Sequence, residues 1–200
     1  MNNPEVLLYF PEPVLKYKFE DYKNFNLNLK RYIYELQKEN PSAQIRSNRG
    51  GWHSPNFKLT DKNSIQNKFV LELQKYIFRS FQTLGWKTEN KKMVISAMWA
   101  IINKKNDFNV LHSHPNASLS AAYYVSAPEN CGKFIIEHLN MAKRNFYPEV
   151  LQDNQLNAQA AGLEVNEGDL LIFPGYLLHK VGMNESDQDR VVISFNVEIK

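Results

Sequence analysis

The 200-residue sequence has a single cysteine, Cys131. One thiol excludes an internal disulfide, and the expected setting is the reducing cytoplasm. No apolar run approaches the roughly 20 residues that cross a bilayer, so no transmembrane helix and no membrane partner are expected. The first residues, Met1-Asn-Asn-Pro-Glu5, carry no basic cluster, and the apolar stretch Val6 to Phe10 is too short for a signal peptide. Charge of one sign is also lacking. The chain has 24 basic and 21 acidic residues, a net of +3. Its basic pairs (Lys91-Lys92, Lys104-Lys105, Lys143-Arg144) are scattered, which argues against nucleic acid as a partner. There is no internal repeat and no low-complexity segment.

What is present is an ordinary globular composition, 43% hydrophobic and 22% charged. A chain of this length forms one domain with a sizeable core. The expectation is a single domain over 1–200, with 1–90 as a helical N-terminal buttress and 91–200 as a β core. From Asp21 to Asn40, Phe25, Leu29, Ile33 and Leu36 fall on one helical face, and Pro41 ends the helix. A second helix runs from about Ser64 to Leu84, with Ile65, Phe69, Leu73, Ile77, Phe81 and Leu84 as its stripe and Gly85 after its end. Between the helices, Gly50-Gly51 allows a close backbone approach. Five later segments are rich in β-branched and aromatic residues: Val94 to Ile102, Leu119 to Val125, Phe134 to Ile136, Leu170 to Phe173 and Val191 to Ile199. Turn-rich stretches separate them, as in an antiparallel sandwich or barrel. Leu139 to Ala161 reads as a long loop, a candidate lid over a site.

The chemistry concentrates in the β half. His112 and His114 are one residue apart, and on a strand that spacing puts both rings on one face, roughly 7 Å apart. The pair alone suits a metal site and a polar turn equally well. The segment Gly168-Asp-Leu-Leu-Ile-Phe-Pro174-Gly-Tyr-Leu-Leu-His179 shifts that balance. An acidic turn leads into a buried strand, the strand ends at Pro-Gly, and a third histidine follows. Arg190 then opens a last strand, with Arg190, Val192 and Ser194 on one face. An inward arginine needs a partner, since an isolated buried charge is costly. A guanidinium fork suits a carboxylate, either a side chain's or a ligand's.

In this order, His112, His114, His179 and Arg190 resemble the Fe(II)- and 2-oxoglutarate-dependent oxygenases. The likeness is to the prolyl-hydroxylase-like branch, and within it to a small bacterial and phage group. It runs from about Trp99 to Asn196, and the Ser47-Asn-x-Gly-Gly-Trp52 segment is similar too. The resemblance implies a double-stranded β-helix (a jelly roll, cupin-like), mainly β with N-terminal helices. It implies Fe(II) as cofactor and 2-oxoglutarate as cosubstrate, with O2 and an unidentified substrate as partners, and hydroxylation with release of succinate and CO2. By the same resemblance His112, His114 and His179 would hold the metal. Arg190 would grip the distal carboxylate of 2-oxoglutarate, with Tyr124 and Ser194 beside it. Trp99 and Asn103 would border the mouth, unless Trp99 belongs to the core. His114 departs from the family pattern, because most members carry an aspartate there. Either three imidazoles hold the metal, or only two do, or Glu137 supplies the carboxylate.

Two rival readings stand beside this one. The spacing from Gly168 through Pro174 to His179 also resembles a cupin motif, which implies a metal protein that does not use 2-oxoglutarate. Against it, no glutamate follows His114 at the cupin distance, and Arg190 has no standard cupin role. A non-catalytic jelly roll leaves the order of three histidines and one arginine unexplained. No reading gives His53, His138 or Cys131 a task.

Overall fold

The computed structural model describes residues 4–145 and 148–200. Helix α1 (Tyr22–Glu39) and helix α2 (Ile65–Thr83) form where the apolar spacing places them. Ser64 caps α2 by accepting a hydrogen bond from the Asn67 N–H at 3.4 Å, which satisfies one of the free donors of the first turn. Leu29 and Ile33 of α1 are buried with Phe69, Leu73, Ile77 and Phe81 of α2 in one cluster. Burying each such side chain contributes about 1.5–3 kcal/mol.

The strands are β1 (Leu15–Lys18), β2 (Asn48–Arg49), β3 (Trp52–His53), β4 (Met93–Asn103), β5 (Phe108–His112) and β6 (Leu119–Ser126). They continue with β7 (Phe134–Glu137), β8 (Ala160–Leu163), β9 (Asp169–Pro174), β10 (His179–Val181) and β11 (Arg190–Ile199), and a short helix α3 (Met141–Asn145) precedes β8. Two sheets result. The major sheet runs β1-β9-β6-β11-β4-β3 and the minor sheet β2-β5-β10-β7-β8. All pairings between strands are antiparallel among the described residues. This is the jelly-roll architecture expected from the sequence.

Strand alternation divides the major sheet between two environments. Leu119, Ala121, Tyr123 and Val125 of β6, with Val191, Ile193, Phe195 and Val197 of β11, pack toward the helices. Ala122 and Tyr124 of β6, Leu171 and Phe173 of β9 and Val192 of β11 belong to a second cluster inside the roll. Both faces are covered, so β6 and β9 are buried almost throughout. A polar tie fixes α1 to the sheet. Tyr123 donates its hydroxyl hydrogen to Asn26 Oδ1 at 2.6 Å, and Asn26 Nδ2 donates to Glu167 at 3.0 Å.

The first ninety residues do more than buttress. Strands β1, β2 and β3 enter the sheets, although the sequence pattern there reads as helix and turn. Between β2 and β3 the chain crosses from the minor to the major sheet at Gly50 and Gly51, both at positive φ (67° and 64°). That left-handed conformation favours glycine, and a Cβ on Gly50 would lie 1.8 Å from an Asp107 carboxylate oxygen and force that side chain to move. No helix among the described residues is long and apolar enough to cross a membrane.

Candidate metal centre and cosubstrate cavity

His112 is the last residue of β5 and His179 the first of β10, and the two are paired directly across the minor sheet. Their ring centroids lie 4.3 Å apart. His114 stands beyond the end of β5, so the expected placement of both His-x-His rings on one strand is corrected: a turn, not the pleat, brings His114 to the cluster. The turn is held by the His114 N–H, which donates to the Gly175 carbonyl at 2.8 Å. A Cβ on Gly175 would fall 2.2 Å from the Ala117 carbonyl and 2.9 Å from that of His114, so a side chain there would push the turn outward. The His114 ring lies 5.1 Å from that of His112 and 5.2 Å from that of His179. Potential ligand atoms of all three lie within 4.8 Å of one another.

The hydrogen bonds set the tautomers. His112 Nδ1 lies 2.7 Å from the Val110 carbonyl and His179 Nδ1 lies 2.9 Å from the Leu177 carbonyl. A carbonyl only accepts, so each Nδ1 carries the proton and each Nε2 keeps its lone pair for a metal. A backbone carbonyl on the distal ring nitrogen is a common way to orient a metal-binding imidazole. Burial keeps all three rings neutral. It pushes His112 down, His114 to about 4 with the neighbouring His112 adding to the effect, and His179 to about 3 with His112 and His114 adding to it. Glu137 is outside this cluster, and its carboxylate pairs with Lys180 at 2.6 Å. The alternative that Glu137 completes the ligand set is therefore corrected.

The cluster opens on a cavity of about 660 Å³. Arg190, Tyr124 and Ser194, named from the sequence, all line it with the three histidines. Arg190 is fully buried. Its Nη1 donates to the Cys131 carbonyl and to the Gly182 carbonyl, the latter at 2.9 Å, while Nε and Nη2 have no partner among the described residues. No carboxylate pairs with it among the described residues, so the side-chain salt bridge that the sequence left open is absent there. Burial lowers the affinity of the guanidinium for its proton, opposed by the neighbouring Tyr124, Cys131 and Asp107. Burial likewise raises that of the Tyr124 phenol, against the pull of Arg190. Asn103 and Trp99 line the cavity as well, and the Trp99 reading as pure core is set aside.

Sequence reasoning missed the outer rim. Gln44, Arg46, His53 and Asn56 line the same cavity, brought there by the crossing at Gly50 and Gly51. The Ser47 to Trp52 segment marked the region without showing which side chains faced inward. The expected lid contributes nothing to the lining: no described residue of 139–161 borders the cavity, while residues 146 and 147 lie outside the described residues.

Comparison with known proteins bears on this geometry. Residues 97–196, half of the chain, match the family described as "Putative 2OG-Fe(II) oxygenase". The chain belongs to this oxygenase family. Its members use Fe(II) as cofactor and 2-oxoglutarate and O2 as cosubstrates. No curated protein sequence matches the chain. Among solved structures, a Pseudomonas putida prolyl-4-hydroxylase is 12% identical with a TM-score of 0.66, over 94% of this chain and 92% of that one. HygX from Streptomyces hygroscopicus, crystallised with nickel, 2-oxoglutarate and hygromycin B, is 11% identical with a TM-score of 0.65, over 94% and 83%. The epimerase SnoN from nogalamycin biosynthesis is 10% identical with a TM-score of 0.66, over 94% and 76%. At these identities the likeness is one of fold.

The oxygenase cavity fits what the family binds. Three neutral imidazoles are suitable donors for a divalent first-row metal. The bare edge of Arg190, Nε with Nη2, is the edge that binds a carboxylate through two parallel hydrogen bonds. The volume falls within the range of small-molecule sites.

Proposed function

We propose that the chain hydroxylates a C–H bond of a substrate entering beside Trp99, with His112, His114 and His179 holding Fe(II). In this reaction 2-oxoglutarate, O2 and the substrate give succinate, CO2 and the hydroxylated product. Bound Fe(II) supplies the redox chemistry that couples decarboxylation of the cosubstrate to oxidation of the substrate. Arg190 fixes the distal carboxylate through Nε and Nη2, with Tyr124 and Ser194 at its sides. Leu171, Phe173 and Val192 exclude water from the inner end, where exclusion strengthens every charged contact. Hydroxylation returns oxygen to the carbon that lost hydrogen, so it asks for no further acid or base. No carboxylate or cysteine among the described residues lines the cavity to act as one.

The observation that carries this reading is the buried, half-partnered guanidinium that lines one cavity with the histidine cluster. A cupin-type metal protein has no use for it. The test is anaerobic addition of Fe(II) and 2-oxoglutarate, with a weak visible charge-transfer band as the expected result. Absence of the band with both components in excess overturns the reading.

A further inference from the structure

The outer half of the cavity has a chemistry that the inner half does not use. Trp99 divides the two. Its ring stacks on His53 at 5.7 Å and 10° on the outer side, and meets His114 at 5.9 Å on the inner side. Trp99 Nε1 is buried without a hydrogen-bond partner among the described residues, although the residue lines the cavity. His53 Nδ1 is committed to the Ser54 carbonyl at 2.8 Å. Arg46 lines the same cavity as His53 and Trp99. Burial lowers the His53 pKa, with the Arg46 charge adding to it against the bond to Ser54. The Arg46 side chain is exposed and makes no ion pair or hydrogen bond among the described residues.

The charge of the whole cavity then matters. No aspartate or glutamate among the described residues lines it, whereas Arg190 and Arg46 both do. The carboxylate that acts on Arg190 is that of Asp107, which accepts from the Lys104 N–H at 2.7 Å and does not border the cavity. A 2-His-1-carboxylate centre brings an anion of its own, but the three imidazoles here are neutral. A dianionic cosubstrate offsets a divalent metal and leaves both guanidinium charges. A cleft of one sign with apolar walls concentrates ligands of the opposite sign.

We propose that the substrate is an anion. Its carboxylate or phosphate group sits between the Arg46 guanidinium and the Trp99 Nε1–H, and its oxidised carbon reaches past the indole to the metal side. Exposed Arg46 alone would give a weak contact, because solvent screens it. The buried indole N–H adds a donor that otherwise has no partner. This proposal rests on the oxygenase reading and deepens it by naming the substrate class.

The experiment uses the full chain loaded anaerobically with Fe(II) and 2-oxoglutarate, so that Arg190 and the metal are already engaged. Inorganic phosphate, acetate and neutral acetamide are titrated by calorimetry at constant ionic strength. One of the two anions is expected to bind at least tenfold more tightly than acetamide, and which one does distinguishes phosphate from carboxylate. Arg46→Ala and Trp99→Phe, the latter keeping an aromatic ring, should each weaken that anion at least fivefold. The charge-transfer band should persist in Arg46→Ala, which shows that the inner site is intact. Acetamide binding as well as the anions, no anion binding, or equal binding to Arg46→Ala overturns the proposal while the band persists. Loss of the band in the unmutated protein overturns the oxygenase reading instead.

Discussion

Asn103 and Arg190 face each other across β4 and β11, and together they leave three buried nitrogen donors without a partner among the described residues: Asn103 Nδ2, Arg190 Nε and Arg190 Nη2. Buried donors left unpaired cost about 1–3 kcal/mol each, so the patch is stable only with an acceptor to receive it. The distal carboxylate of 2-oxoglutarate is such an acceptor. Arg190→Met should weaken 2-oxoglutarate binding by about 100-fold or more, since two charge-assisted bonds are worth roughly 3 kcal/mol or more together. Metal binding should change little. Anaerobic titration of the visible band measures both, and equal 2-oxoglutarate affinity in the two proteins would remove Arg190 from its role.

Asn103→Asp tests the same patch from the opposite strand. A carboxylate there would pair with Arg190 and compete with the cosubstrate. The variant should be at least as stable in thermal melts and should lose at least tenfold in 2-oxoglutarate affinity. Unchanged affinity would mean that the side chain at position 103 does not reach the cosubstrate.

The three histidines are not equivalent. His112 and His179 are oriented by the Val110 and Leu177 carbonyls, whereas the His114 ring, set among Trp99, Phe173 and the other two histidines, makes no hydrogen bond among the described residues. His112→Ala and His179→Ala should each abolish stoichiometric Fe(II) binding. His114→Asp should retain it, because the position needs a donor atom rather than a fixed ring. Metal content after anaerobic loading decides this. Loss of iron in His114→Asp as complete as in His112→Ala would show that the imidazole itself is required.

Gly175 permits a prediction that touches no ligand. Its backbone carbonyl holds the His114 N–H, and a Cβ would collide with two carbonyls of the same turn. Gly175→Ala should therefore displace His114 and weaken metal affinity about 10- to 100-fold, the range seen when the support of a ligand is lost. Far-UV circular dichroism should remain that of the parent. Full metal affinity in a folded Gly175→Ala protein would show that the turn adjusts freely.

The inner site was legible in the sequence because strand periodicity does geometric work at a distance. Arg190, Val192 and Ser194 alternate on β11, and Ser120, Ala122 and Tyr124 alternate on β6, so one face of each could be assigned without coordinates. Helices α1 and α2 were legible for the same reason, at a different period. Strands β2 and β3 were not, because two residues carry no period and the Gly50-Gly51 crossing is a tertiary event. That is why Arg46 and His53 received no role from the sequence. His114 lies within the cluster, on a different backbone from the one expected: a turn pinned by Gly175 does what two-residue spacing on a strand was expected to do. Strand β8 begins at the end of the supposed loop and runs past it, and Ala160-Ala-Gly-Leu163 is too small-sided to read as strand.

Burial sets the sign of the protein's response to pH. In the metal-free folded protein His114 titrates at about 4 and His179 at about 3, and His112 is also lowered, whereas each has a reference value of 6.5. Above pH 6.5 both folded and unfolded chains hold these rings neutral, and the rings add no pH dependence. As pH falls below 6.5 the unfolded chain takes up protons first, so stability is lost until the folded rings titrate as well, near pH 4 to 3. Each ring contributes at most about 1.4 kcal/mol per pH unit to that slope. The metal-free protein should therefore melt lower at pH 5 than at pH 7. His114→Ala, with one such ring fewer, should show a shallower decline. Because the folded rings resist protonation, Ni(II) should still bind at pH 5.5, where an ordinary histidine is mostly charged. Parallel melting curves for the parent and His114→Ala, or loss of Ni(II) near pH 6.5, would show that the cluster is open to water and titrates as exposed histidines do.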